Sequence, residues 1–498
     1  MKLFASILTA CVFSTPLLAQ LPETRIDSTL QALYKQHEIA GNVLIAEKGK
    51  TVYTRSLGYA DRARGIVPDA QTSFQLASLS KTFTAIAILQ LKEKGKLQLD
   101  EPAKKYLPAF KYEGITIRQL LSHTSGLNDL QMFEAPYMAD TSGVFTIADL
   151  VPVINTAENS IVFAPGEKWK YSNSGFGLLA LIVEKVSGMP FQNYLAKNIF
   201  RPAGMMHSYV NTPLIAVNDA HRAKVYDYLN YAPWIWQKAD SLPQNRVEYH
   251  NLMGLMGHSN IISTTGDLLL YDRALYSHKL LKQATLQEAF QPARLNNGQL
   301  AQTGWANNEC YYGLGWCILK DSSQGKVVFH AGGMAGAVTI MLRNITKDQT
   351  VIMLNNVTHR GTHEVGVNLL RLLNGREPAQ SKKSLATLFA RTMITKNPDA
   401  ALAQFNTHKT DTAHYYLNER EMNILGLQMF YNGYAVEGME VLRLNTLLFP
   451  GSANVYDSYA GALKSSGKVE EARMTCLKTL ALAPGHAGAK KMLMELDQ

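Results

Sequence analysis

Strand signals stand at the two ends of residues 20–376 and helix signals fill the interval, an order that narrows the possible folds more than any other feature of the sequence. At the start, Val43-Leu44-Ile45-Ala46 and Thr51-Val52-Tyr53-Thr54 read as two strands joined by a turn at Gly49. Near the end, Val327-Val328-Phe329, Ala337 to Leu342 and Thr350 to Leu354 read as three more, the last two joined by the mostly polar segment Arg343 to Asp348. Between them, Leu79 to Leu91 is largely apolar beyond its first turn, the mark of a buried helix, and Gly95 stands where a C-cap glycine would end it. Further helices are expected from Ile117 to Leu121 with Thr116 as N-cap, from Gly175 to Val186, and from Val365 to Leu373 before Gly375. The order implies an α/β fold of the α+β kind: an antiparallel sheet assembled from both chain ends, flanked by helices, with an inserted helical region and a cleft between the two.

After Glu377 a polar hinge with Pro378, Ser381, Lys382 and Lys383 opens a second unit, 377–498, which is helix-compatible and lacks strand alternation. It contains a repeat at a spacing of 34 residues, pairing Leu425 with Tyr459, Gly426 with Ala460, Met429 with Leu463, Gly433 with Gly467, Leu442 with Cys476 and Pro450 with Pro484. Small residues where helices approach and a proline closing each unit form the tetratricopeptide pattern. A third copy starts near Ala487 and stops after one helix, and residues 384–420 are expected to supply the helices that complete an all-α array. Such a module is either a packing appendage or a groove for a protein or peptide partner.

The net charge of +9 is spread without a block of like charges, which excludes the basic stripe of a nucleic-acid binder. No run of 18 apolar residues follows the N-terminus, so no transmembrane segment is expected. Lys2, the apolar stretch Leu3 to Leu18 and the small Ala19 read as a signal peptide over residues 1–19, which places the chain in the periplasm or outside the cell. Leu8-Thr9-Ala10-Cys11 offers the alternative of a lipid anchor at Cys11. The later cysteines, Cys310, Cys317 and Cys476, are odd in number and lack metal-ligand spacing. If Cys310 to Cys317 were one strand, about 23 Å at roughly 3.3 Å per residue would separate the two and forbid a bridge, so all three read as buried small hydrophobes.

Serine with lysine three residues later occurs at Ser78/Lys81, Ser323/Lys326 and Ser465/Lys468, but only Ser78 opens a buried helix. That spacing puts both side chains on one helix face, where a partly desolvated Lys81 can take the Ser78 proton near a positive helix N-terminus. Tyrosine with asparagine two residues on occurs at Tyr171/Asn173, Tyr209/Asn211, Tyr228/Asn230 and Tyr416/Asn418; only Tyr171 and Asn173 lie in a tight turn, Pro165 to Gly175, feeding an apolar helix. A phenol there can shuttle protons, and the Asn173 amide can bind a substrate carbonyl. His330-Ala331-Gly332-Gly333 follows the strand Val327–Phe329; its small residues let a substrate backbone lie along the strand edge and leave the Gly333 N–H free for an oxyanion. His123 in the turn Ser122–Gly126 reads as structural, and Trp234 and Trp236 as either acyl-pocket or loop-packing residues.

Ser78-Leu79-Ser80-Lys81, Tyr171-Ser172-Asn173 and His330-Ala331-Gly332, in this order, resemble the three active-site motifs of the serine β-lactamase and penicillin-binding-protein superfamily. Leu120 to Leu127, Phe200 to Met205 and Tyr312-Gly313-Leu314-Gly315-Trp316 are similar to the class C β-lactamase-related branch, which includes D-peptidases and carboxylesterases. The resemblance covers residues 30–375 and implies a β-lactamase-like fold. It also implies an acyl-enzyme at Ser78, general-base duty shared by Lys81 and Tyr171, an acyl side chain oriented by Asn173, and an oxyanion hole from the N–H groups of Ser78 and Gly333. No metal or organic cofactor is implied. Where β-lactamases usually carry lysine, threonine and glycine, this chain has His330, Ala331 and Gly332; a histidine is only partly charged at neutral pH, so capture of a penicillin carboxylate should be weaker. The expected activity is therefore hydrolysis of ester or D-peptide-like amide substrates, with a class C-type β-lactamase, or a penicillin- or peptide-binding sensor with negligible turnover, as alternatives.

Overall fold

The computed structural model describes residues 22–215, 217–229, 231–304, 309–358, 361–380 and 382–496; the signal segment 1–19 with Cys11 lies outside the described residues. Both chain ends of the first unit do enter one sheet. Its strands are β1 (Gly41–Glu47) and β2 (Lys50–Leu57) from the start, and β3 (Cys310–Tyr312), β4 (Cys317–Leu319), β5 (Val327–Met334), β6 (Ala337–Asn344) and β7 (Gln349–Asn355) from the end. The spatial order is β2-β1-β7-β6-β5-β4-β3, and every neighbouring pair is antiparallel. Period-two alternation sorts the side chains of β7: Val351 and Met353 point to one face, Ile352 and Leu354 to the other. The first face is covered by helix α1 (Pro22–Lys35) through Ile26 and Leu30, and by α2 (Thr362–Leu373) through Leu369, Leu370 and Leu372. The second is met by the helix Thr265–Tyr276, which lies against β7 and β1, and the inserted helices Lys81–Glu93 and Asn173–Ser187, apolar around most of their circumference, add Phe83, Ile86, Ile88, Phe176, Leu179 and Ile182 to the same core. Burial on that scale lets an inserted helical layer stand on the sheet without staples.

Two local expectations are corrected. The segment Cys310 to Cys317 is a hairpin, β3 against β4 with Tyr312 opposite Cys317, because Gly315 takes φ +85° in the connecting turn. Both thiols are free and buried on one face of that hairpin, so they act as small hydrophobes, but the extended separation argued from the sequence does not exist. The strand expected to end at Phe329 continues to Met334, paired throughout with β6 from Val327↔Asn344 to Met334↔Ala337. His330 to Gly333 are therefore strand residues and do not follow the strand.

The C-terminal unit is a stack of helical hairpins. Leu385–Thr395 pairs with Pro398–His408, Glu419–Tyr431 with Ala435–Leu448, and Ala453–Ser465 with Val469–Leu482, before a last helix Ala487–Leu496. The repeat is kept to the residue: helices starting at Glu419 and Ala435 recur 34 positions later at Ala453 and Val469, and Ala487 begins the next copy. Gly433 (φ +93°) and Gly467 (φ +75°) occupy the same left-handed turn in the two copies. The first hairpin's core, Leu385, Phe389, Met393 and Phe405, closes over Tyr231 and Ala232 of the first unit, and the Tyr231 hydroxyl donates to Gln428 O at 3.2 Å. Among the described residues no single helix is long and apolar enough to cross a membrane.

Candidate active site

Leu76 and Ala77 set the position of Ser78. Residues Ala77–Ser80 form a 3-10 turn and the helix proper begins at Lys81, so Ser78 sits just ahead of the helix it was expected to open. Ala77 has φ +48°, a conformation that costs a residue with a β-carbon about 1 kcal/mol or more and needs support from its surroundings. That support flanks it: Leu76 N–H donates to Ile261 O at 2.9 Å, and Leu76 O accepts from Thr339 Oγ1 at 2.7 Å. Gly332 lets β5 come against this turn, since a β-carbon there would stand 2.1 Å from Leu76 O and 3.1 Å from Ser78 N.

Three expected residues converge at the half-buried Ser78. Its Oγ is 3.1 Å from Lys81 Nζ and accepts from the Tyr171 hydroxyl at 2.8 Å. Lys81 is fully buried, and its Nζ also donates to Asn173 Oδ1 at 2.7 Å and His258 O at 2.8 Å. Desolvation holds the Lys81 amine well below its ordinary pKa, with the Asp129 carboxylate pulling the other way. Desolvation pushes the Tyr171 phenol well above its ordinary value, opposed by its bond to Ser78. A base that loses its proton more readily and a phenol that keeps its own thus flank one hydroxyl.

The oxyanion geometry follows from strand parity. The two-residue connection Ala335-Gly336 makes Met334 and Ala337 a mutually hydrogen-bonded pair, so Gly332 and His330 also spend their backbone groups on β6. Phe329, Ala331 and Gly333 face the opposite edge. There β4 ends its pairing at Phe329↔Cys317, and the edge at Ala331 and Gly333 runs on past it. Gly333 is exposed, and the Ser78 N–H precedes the first bond of its turn, Leu79 N–H to Leu76 O at 3.3 Å. The Ser78 N–H at the head of its turn and the Gly333 N–H on the open edge of β5 thus both lack a partner strand, and that edge can pair with an extended substrate.

His330 departs from expectation. It is fully buried on the helix side of β5; its Nδ1 donates to Ala331 O at 2.7 Å, leaving Nε2 to accept from the Tyr312 hydroxyl at 3.0 Å. Burial lowers its pKa to about 3, with Lys81 as a further positive neighbour, so it is neutral and offers no charge to a substrate carboxylate. His123 is structural as expected: buried at φ +57°, it accepts the Ser172 N–H at Nδ1 (3.2 Å) and packs its ring 4.4 Å from that of Tyr171. Trp236 packs against Tyr226, Tyr228 and His37 on the strand Ala232–Lys238, which favours the loop-packing reading for it, whereas Trp234 on the same strand is exposed. Two contributors were missed by sequence reasoning: the backbone carbonyl of His258, and Asp129, whose Oδ1 accepts from Asn173 N at 2.7 Å and whose Oδ2 accepts from Asn173 Nδ2 at 3.0 Å.

Comparison with known proteins agrees with this geometry. Residues 26–388 match the family model described as Beta-lactamase. Penicillin-binding protein 4* of Bacillus subtilis is 37% identical over 333 residues, which is 66% of this chain and 71% of that protein. A penicillin-binding protein of Bacillus halodurans superposes with a TM-score of 0.56 at 27% identity, over 70% of this chain and 99% of that one. D-amino acid amidase of Ochrobactrum anthropi SV3, solved with D-phenylalanine, shares the fold with a TM-score of 0.58 at 22% identity, over 70% and 99% of the two chains. A buried lysine and a tyrosine on one serine, beside an open strand edge, in a sheet closed by both chain ends, place this chain in the β-lactamase family of serine hydrolases.

Proposed function

We propose that the protein is an exported hydrolase that forms an acyl-enzyme at Ser78 and acts on ester or amide substrates of the D-amino-acyl type. The observation that carries the reading is the shell of Ser78 Oγ, with Lys81 Nζ at 3.1 Å and Tyr171 OH at 2.8 Å. In acylation the Ser78 proton passes to Lys81 Nζ as Oγ bonds the carbonyl carbon, and the negative oxygen is met by the Ser78 and Gly333 N–H groups. As the carbon–leaving-group bond breaks, Tyr171 gives its proton to the departing atom and is reprotonated from Lys81. Water then attacks the ester by the reverse proton path, freeing the acid and Ser78. The base works only when unprotonated, so acylation is lost as pH falls through the Lys81 pKa, and desolvation moves that acid limb to lower pH than an ordinary lysine would give.

The neutral, buried His330 bears on substrate choice. With no charge at the position where β-lactamases carry lysine, a penicillin carboxylate gains no ion pair there. The fold shared with a D-amino acid amidase supports the amide reading. Initial rates with D-aminoacyl amides, short-chain p-nitrophenyl esters and nitrocefin test it. The expected result is kcat/KM for an amide or ester at least about 10-fold above that for nitrocefin, the scale of one missing charge-assisted bond. A nitrocefin rate far above the others would overturn the preference and assign a β-lactamase.

A further inference from the structure

We propose that Asp129 is a positioning residue: by fixing the orientation of the Asn173 amide it aims the lone pair of Lys81 at Ser78 Oγ. The inference rests on the reading of Lys81 as the base given above. A carboxylate only accepts hydrogen bonds, so Asp129 Oδ2, 3.0 Å from the Asn173 side chain, must face its NH2 group, while Oδ1 takes the backbone N–H at 2.7 Å. The Asn173 oxygen is thereby turned to Lys81 at 2.7 Å.

An unprotonated primary amine has two N–H donors and one lone pair. Asn173 Oδ1 and His258 O, at 2.7 and 2.8 Å, accept the two donors, which leaves the lone pair for the third neighbour, Ser78 Oγ at 3.1 Å. After proton transfer the ammonium has three N–H groups for the same three oxygens, so one shell serves both states. The opposite amide orientation would point an N–H at Lys81, consume the lone pair and leave Ser78 without a base. The Asp129 loop is itself tied to the tyrosine turn, since Ser172 Oγ donates to Asn128 O at 3.0 Å and Asn128 Oδ1 accepts from Asp129 N at 3.0 Å.

Asp129→Asn and Asp129→Ala separate this role from a packing role. In Asp129→Asn the new oxygen must serve the backbone N–H of Asn173, which cannot turn round. The new NH2 then meets the Asn173 side chain and reverses it. Alanine removes the constraint without imposing the wrong orientation. The acylation rate constant, followed by stopped flow with a fluorescent penicillin or fluorophosphonate, is expected to fall about 100-fold in Asp129→Asn and only about 10-fold in Asp129→Ala, within the range that a general base contributes.

The acid limb of the rate in Asp129→Ala should also move to lower pH. The titratable groups around Lys81 are Asp129, Tyr171, His123, His258 and His330; burial disfavours the charged form of the phenol and of all three imidazoles, and the carboxylate favours the ammonium. A packing role predicts the reverse order, because asparagine keeps the volume of aspartate, and an Asp129→Asn rate equal to or above that of Asp129→Ala, or an unmoved acid limb, overturns the proposal. If the alanine variant does not fold, a near-wild-type rate in Asp129→Asn overturns it alone. Lys81→Met in the same assay distinguishes the two layers: a wild-type rate there sinks the base assignment, whereas a slow Lys81→Met beside a fast Asp129→Asn sinks only the role of Asp129.

Discussion

Lys81→Met is expected to lower the acylation rate by about 10³- to 10⁴-fold while the protein stays folded. That loss is about 4–5.5 kcal/mol of transition-state stabilisation, the upper range for a single general base. The stability side rests on two opposing costs. The wild-type fold buries an amine completely, which is unfavourable. Methionine relieves that cost at similar volume but leaves Asn173 Oδ1 and His258 O without their donor, at about 1–3 kcal/mol for each orphaned acceptor. The opposing terms should leave the melting temperature within about 4 °C of wild type. Thermal melts beside single-turnover acylation check both halves. The residual rate should also lose its acid limb, since the group that titrates has been removed.

Gly332→Ala is expected to cut kcat/KM by about 100-fold or more and to destabilise the fold, through a different route. The added β-carbon would stand 2.1 Å from Leu76 O, 2.5 Å from Thr339 Oγ1 and 3.1 Å from Ser78 N. Two of these are backbone atoms of the nucleophile turn, so β5 and the turn must part, and displacing reacting groups by about 1 Å costs on the order of 10²-fold. The same shift weakens the bond between Thr339 Oγ1 and Leu76 O that helps to hold Ala77 at positive φ. Gly333→Ala is the control. No atom lies within 4 Å of a β-carbon at Gly333, so its melting temperature should match wild type. Equal melting temperatures for the two variants would contradict the close-approach argument.

The sequence was legible where periodicity or a cap carried the signal. Thr116 is the expected N-cap of Ile117–Leu121, closing a capping box with Gln119, Gly95 (φ +68°) follows the helix that begins at Lys81, and the repeat spacing reproduces the helix starts at Ala453 and Val469. Ser78, Lys81, Tyr171 and Asn173 were visible because each sits at a boundary between an irregular turn and an apolar helix. Asp129 was not, because it lies in a loop without periodicity, and its partner is fixed only when that loop folds against the tyrosine turn. The carbonyl of His258 carries no side-chain signal at all. His330 was misjudged for a physical reason: alternation along a strand that runs on to Met334 sends its ring into the core, where the Tyr312 hydroxyl from the β3–β4 hairpin completes its hydrogen bonding. Extending the strand by five residues thus converts a candidate substrate-binding histidine, expected to be partly charged, into a neutral buried residue.

The central claim is that Ser78 is the group acylated. Incubation with a fluorophosphonate or fluorescent penicillin, followed by intact-mass measurement and peptide mapping, tests it most directly. The expected result is one adduct per chain, on the peptide containing Ser78, and none in Ser78→Ala. Labelling that persists in Ser78→Ala, or an adduct mapped to Ser323 or Ser465, would contradict the account.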